Sequence, residues 1–313
     1  MQLLYALAEL RTPFLDALLG ALTNCGGELV FMAAAIIVFW CVSKSCGYYM
    51  LTVGFVGTIV NQFLKLVFRI PRPWVKDPDF QIVESARAEA TGYSFPSGHT
   101  QNVFASFGCL GRWTKRIWLR VVCALLIVVT AFSRMYLGVH TPLDVGVSFG
   151  IGLVLVFALY PLFRDIDSHP NRLYLLFVGM AVLGAAYLLF AEFWPFPADV
   201  DAANLASGRK NAYTLLGAVL GMTFAYWLDR RCVHFDVRAV WWAQVLKAVL
   251  GLAITIGLRA ALKAPLLALC GGHNVANLIR YALMVIFAAG IWPMTFGWFG
   301  RLGRKKPASG ASD

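Results

Sequence analysis

Residues 133–163, SRMYLGVHTPLDVGVSFGIGLVLVFALYPLF, decide how the chain is to be read. From Leu143 to Phe163 the stretch holds one acidic residue near its start and no other charge. A run of about 20 apolar residues is what a helix needs to cross the roughly 30 Å hydrocarbon core of a bilayer. The residues in front of it are polar. Thr141-Pro142-Leu143-Asp144 has the form of a capping box, with proline at the first helical position and an acid at the third. Capping accounts for Asp144 but not for Arg134 or His140. Both lie near the lipid boundary, where an ionisable group is costly and marks function. Asp144, one turn from His140, can accept its Nδ1–H and leave Nε2 free as a nucleophile.

Runs of the same kind recur along the chain. The 313 residues are 59% hydrophobic and 14% charged, whereas a soluble domain carries about a quarter charged residues. Counting residues 29–42, 48–68, 103–110 with its small flanking residues, 117–132, 143–163, 173–193, 213–228, 240–262 and 278–299 gives nine spans. The fold expected is an all-α, polytopic membrane helix bundle. The net charge of +11 does not point to nucleic acid, because the basic residues fall in loops between spans. Lys44, the group Arg112, Lys115, Arg116 and Arg120, the pair Arg164 and Arg172, then Arg230, Arg231 and Arg238, and finally Arg301, Arg304, Lys305 and Lys306 alternate onto one face. That face is expected to be cytoplasmic, which places the N-terminus outside and the C-terminus inside. Residues 2–22 read as an amphipathic helix along the outer interface, broken at Pro13, with a tenth span as the alternative. Met1–Leu10 lacks the basic start of a cleavable signal. The seven cysteines are odd in number and form no CxxC pair, so they read as small buried apolar residues, with no disulfide framework and no zinc site.

Three polar islands fall on the outer face of this topology. In the first, KLVFRIPRP, Lys65, Arg69 and Arg72 share one helical face, and Pro71 and Pro73 stop the helix. A basic collar on this face suggests a bound anion, with ordinary snorkelling as the alternative. The second, SFPSGHTQ (residues 94–101), opens a helix at Ser97, whose first N–H groups make a ready anion site. Gly98 lets a ligand approach the backbone. The third is the segment Ser133 to Asp144. Together they supply three cations (Lys65, Arg72, Arg134), a helix N-terminus, two histidines and a carboxylate. That inventory suits phosphoryl transfer without a metal.

Lys65 and Arg72-Pro73, Pro96-Ser97-Gly98-His99, and Ser133-Arg134 with His140 and Asp144 resemble the three-part signature of the type 2 phosphatidic acid phosphatase superfamily. The resemblance covers residues 25–163. It implies that His140 attacks phosphorus to form a phosphohistidine, that Asp144 orients it, and that His99 protonates the leaving oxygen and then activates water. Lys65, Arg72, Arg134, Ser97 and Gly98 would bind the phosphate oxygens, with no cofactor. Residues 164–313 carry none of these motifs and read as a four-helix membrane extension of unknown role, and residues 1–24 as the interfacial helix.

The function expected is a phosphatase of a lipid phosphate or diphosphate in a bacterial inner membrane, facing the periplasm, with membrane lipids and no nucleic acid as partners. The alternatives are a phosphotransferase using the same site, a sugar-phosphate phosphatase and a lipid transporter. Residues 74–93 read either as a lid over the site or as a solvated loop. Arg69, Arg259, Lys263, His273 and Arg280 read as snorkelling or loop charges.

Overall fold

The computed structural model describes residues 1–166 and 168–302. The C-terminal basic residues Arg304, Lys305 and Lys306 lie outside the described residues. Every regular element among the described residues is helical. Two short helices, α1 (Gln2–Glu9) and α2 (Pro13–Thr23), lead through a tight turn into α3 (Glu28–Cys41) and α4 (Lys44–Phe68). A loop with single helical turns at Pro73–Lys76 and Glu84–Ala86 follows. Next come α5 (98–113), interrupted by a π segment at Phe104–Gly108, then α6 (Ile117–Tyr136) and α7 (Pro142–Arg164). The second half holds α8 (Asn171–Phe193), α9 (Ala202–Leu228), α10 (Trp241–Ala261) and α11 (Val275–Ile286), the last continued by irregular turns to Phe299.

Six helices are long and apolar enough to cross a membrane, or seven if Pro13–Gly26 and Glu28–Cys41 form one span bent by 49°. The sequence count was nine. The difference lies in two places. The third expected span, α5, runs only from 98 to 113 and breaks register at its π segment. In α9 the length of 27 residues suffices, but the first half carries Asn204, Ser207, Arg209, Lys210 and Asn211. The expected helix at residues 2–22 is two helices. Thr12 caps the second, accepting from the Leu15 N–H at 3.3 Å, with Pro13 at the first position.

Capping residues fix the ends that matter. Ser43 caps α4, accepting from the Cys46 N–H, and both halves of the Thr141–Asp144 capping box are formed at the start of α7. Side chains with large apolar area, such as Leu125, Val154, Leu175 and Val249, point outward and are more than 55% exposed, as residues facing lipid do. The core lies between them, with Phe39, Trp40, Tyr48, Tyr49, Phe163 and Phe177 almost fully buried.

Side-chain contacts order the two ends of the bundle. At one end the Lys44 ammonium bonds both carboxylate oxygens of Asp229 at 2.8 and 3.1 Å. At that same end Arg112 stacks on the Tyr160 ring at 4.0 Å. Gln244 donates to the carbonyls of Cys41 and Val237. At the other end Asn211 donates to Gln62 and Arg134 to Thr23. The basic loops therefore share one end, and the three polar islands share the opposite one.

Candidate active site

Each island reaches the site because a helix stops there. α4 ends at Arg69, whose left-handed conformation (φ 49°) turns the chain away. This leaves Lys65 in the last turn and Arg72 just beyond, both buried. The Lys65 ammonium donates to the Tyr93 carbonyl. Arg72 is held at four points: Nε donates to Gly92 O at 3.1 Å, Nη2 to Thr91 O at 2.7 Å, Nη1 to Val139 O at 3.0 Å, and Nη1 also lies 2.9 Å from His140 Nε2. These bonds hold Thr91, Gly92 and Tyr93, the end of the 74–93 loop, against the site, and Ala88, Glu89 and Thr91 line its cavity.

A guanidinium has no acceptor, so His140 Nε2 must accept from Arg72. The imidazole proton therefore sits on Nδ1, 3.5 Å from Asp144 Oδ2. That separation is an ion-pair contact longer than a good hydrogen bond. Asp144 Oδ2 already accepts from the Ser94 hydroxyl at 2.6 Å and the Thr141 N–H at 2.7 Å. Oδ1 has no partner.

The opening of α5 carries Ser97, Gly98 and His99. Ser97 is the N-cap, its Oγ accepting from the Thr100 N–H at 3.4 Å and the Thr100 hydroxyl at 3.1 Å. Its own N–H donates to Asp144 O, joining this island to the third. A Cβ added at Gly98 would meet nothing within 4 Å, so this face is open to a ligand. His99 Nε2 lies 2.9 Å from Glu89 Oε2. Arg134, 1% exposed, donates to Thr23 Oγ1 at 3.0 Å and leaves Nε and Nη2 without a partner. Buried donors on a cation are costly to leave unpaired, and an oxyanion beside them would satisfy both.

Lys65, Arg72, Gly98, His99, Arg134 and His140 all line one cavity of about 680 Å³. Ser97 and Asp144 do not line it. They stand one layer behind, Asp144 against His140 and Ser97 under Gly98. Arg69, Arg259, Lys263, His273 and Arg280 take no part in its wall. Arg280 is buried elsewhere, bonded to Asn277.

Both histidines lie outside the candidate spans. Burial first, then the charges of Arg134, Arg72 and Lys65, push the His99 pKa down to about 3. Burial, followed by Arg72, Arg134, Lys65 and His99, holds His140 well below the usual imidazole range. Both rings are therefore neutral at pH 7. Among the described residues no group of three or more His, Cys, Asp or Glu side chains could hold a metal ion.

Sequence reading missed Ser94, Glu89 and the backbone carbonyls of residues 91–93. Ser94 stands inside the quoted second island and could have been named. The carbonyls carry no side-chain signal at all.

Two family models match the chain in succession: the PAP2 superfamily over residues 45–167 and the transmembrane extension of PAP2 superfamily phosphatases over residues 213–305. The chain belongs to the PAP2 superfamily. Both halves of this PAP2 protein thus have counterparts, including the half in which the sequence showed no motif. It is 34% identical over 108 residues to undecaprenyl-diphosphatase BcrC of Bacillus subtilis, covering 34% of this chain and 52% of that one. It is 27% identical over 180 residues to phosphatidylglycerophosphatase B of the same organism, covering 52% and 80%. To mouse sphingosine-1-phosphate phosphatase 1 it is 24% identical over 217 residues, covering 62% and 47%. The matches thus span about half the length of two of these relatives and most of the third. No solved structure matches the chain.

Proposed function

We propose that this PAP2 protein is a membrane phosphatase that hydrolyses a lipid phosphate or diphosphate monoester through a phosphohistidine on His140. The observation that carries the reading is the single cavity lined by three cations and two imidazoles from three separate islands.

The chemistry follows from the hydrogen bonds. Arg72 Nη1 caps the Nε2 lone pair of His140. A phosphoryl oxygen is a better partner for a guanidinium, so an entering phosphate draws Arg72 away and frees Nε2. Arg134 Nε and Nη2, Lys65 and the Gly98 N–H take the remaining oxygens, while Ser97, one layer behind, caps the helix start that presents Gly98. Nε2 then attacks phosphorus in line while the bond to the leaving oxygen breaks. His99, made imidazolium by the proton that a phosphate monoanion brings in, gives that oxygen a proton. Nδ1–H turns its growing positive charge to Asp144, which Ser94 and Thr141 hold in place. Neutral again in the ring, His99 takes a proton from water, the hydroxide attacks the phosphohistidine, and inorganic phosphate leaves. The three cations supply the charge that a metal would otherwise bring.

The cavity opens at the end of the bundle opposite the basic loops, and by the positive-inside rule that end faces outward, to the periplasm in a bacterial inner membrane. Counting α5 and α9 as passes keeps the nine-span plan, with residues 1–24 at the outer interface, residues 25–163 as the catalytic unit and 164–313 as its extension.

Detergent-purified protein should release inorganic phosphate from a lipid phosphate in EDTA with no acceptor present, and His140→Ala should not. Acid-labile, alkali-stable phosphate should be trapped on the wild-type chain and be absent from that variant. Activity abolished by EDTA, or phosphate transfer only when a second lipid or a glycan is supplied, would overturn the reading, the latter in favour of a phosphotransferase.

A further inference from the structure

The wall of the cavity is graded. On α4, Phe55, Thr58, Gln62 and Lys65 recur at helical spacing and all line it, so they lie on one face. At 1.5 Å per residue, Gln62 lies about 4.5 Å inward of Lys65, and Thr58 about 10 Å. α9 runs antiparallel beside it, and Asn211 Nδ2 donates to Gln62 Oε1 at 3.2 Å. One turn further in, Thr214 and Leu215 line the same cavity, as does Asn102 one turn below His99. The apolar floor comes from Phe31, Met32, Phe55 and Leu215.

Between the cationic cage and this floor lies a band of uncharged hydrogen-bonding groups: Thr58, Gln62, Asn102, Asn211 and Thr214. All five are partly exposed. The bond between Gln62 and Asn211 uses one donor and one acceptor, and whichever way the amides are turned it leaves one of each free. No cation lines the cavity beyond the three of the cage. The carboxylates that line it, Glu28 and Glu89, repel further negative charge.

We infer that the Gln62–Asn211 pair, with Thr58, Asn102 and Thr214, is a specificity subsite shared by the catalytic half and the extension. It recognises neutral hydrogen-bonding groups, hydroxyl or ester carbonyl, on the carbons next to the phosphate. This rests on the phosphatase reading and narrows it. The substrate is a phosphomonoester with a polar linker between phosphate and chain. A phosphate joined directly to hydrocarbon leaves the amides unpaired, and a second phosphate would sit among neutral groups with no cation of its own. The extension gains a role as the wall that reads the linker.

The test compares kcat/KM of the purified protein for dioctanoylglycerol phosphate, dodecyl phosphate and farnesyl diphosphate. Wild type should prefer the first over each of the others by roughly tenfold or more, the worth of one or two hydrogen bonds. In Gln62→Leu with Asn211→Leu that ratio should fall towards one. A wild type that turns over dodecyl phosphate or farnesyl diphosphate as well as the glycerol compound overturns the subsite, as does a double variant that keeps the wild-type ratio. Failure of the phosphatase reading is seen separately, as no phosphate from any of the three. In that case the ligands' stabilisation of the His140→Ala protein against heat must still follow the same order, and equal stabilisation by all three refutes the subsite.

Discussion

In the proposed mechanism His140 is the nucleophile, and its neutrality sets the pH dependence. Its pKa lies well below the usual 6.5 because burial and then Arg72 disfavour the imidazolium, and His99 is pushed down to about 3. At neutral pH each ring is therefore neutral, with a single N–H. The proton that His99 must give the leaving group then enters with the substrate, because neutral His99 with a phosphate monoanion has the same proton count as imidazolium with the dianion. A phosphomonoester loses its second proton near pH 6. kcat/KM should therefore fall as pH rises above about 6. On the acid side it should hold well below pH 6.5, failing only when His140 begins to protonate. A pH–rate profile whose acid limb lies at 6.5 would show that His140 is not shielded as described. The two histidines were legible as candidates in the sequence because ionisable residues beside apolar runs stand out, and both line the cavity. Ser94 was not, since a serine in a polar turn has an ordinary explanation.

At the scale of the element, Asp144 does two jobs that substitution can separate. It completes the capping box of α7 and faces His140 Nδ1 at 3.5 Å. Thr141→Ala removes the side-chain cap alone and should cost about 1 kcal/mol of stability, with turnover changed only a few-fold. Asp144→Asn should do the reverse, lowering kcat by roughly 10²–10⁴-fold with a smaller loss of stability. Equal kinetic damage from both would mean that the start of α7, and not the carboxylate, matters. Helix contacts in the extension can be tested too. A Cβ at Gly217 would lie 2.2 Å from Leu278 O, and one at Gly221 2.6 Å from Ala282 O. α9 and α11 thus cross backbone to backbone through small residues four apart. Gly217→Leu must force the helices apart. It should lower the detergent-solubilised melting temperature by several degrees and raise KM, because Asn211 rides on the same helix. The sequence made α9 visible as an apolar run but not this crossing, since a glycine within a span has no meaning until its neighbour is known. For the same reason α5 read as a span: composition reports apolarity, while its shortness and its π segment come from packing.

For the whole molecule the open quantity is orientation, and the chain carries its own reporters. Cys232 is exposed and lies next to Arg230 and Arg231, at the end where Lys44 meets Asp229. Cys270 is partly exposed and lies between α10 and α11. It falls at the opposite end, where His273 packs edge-on against Tyr213 at 5.6 Å. The basic loops were readable in the sequence, and the sidedness proposed above rests on them. What sequence could not supply was the proof that they gather at one end, because that depends on α9 lying antiparallel to α4. In intact cells, a membrane-impermeant maleimide should label a Cys270-only version of the protein. A Cys232-only version should be labelled only after the membrane is opened. Labels in the reverse order would turn the cavity to the cytoplasm and give His140 its substrate from the inner leaflet. Labelling of both from outside would mean that the two ends do not lie across a bilayer, and the reading of α4, α6 and α7 as membrane helices would fail with it.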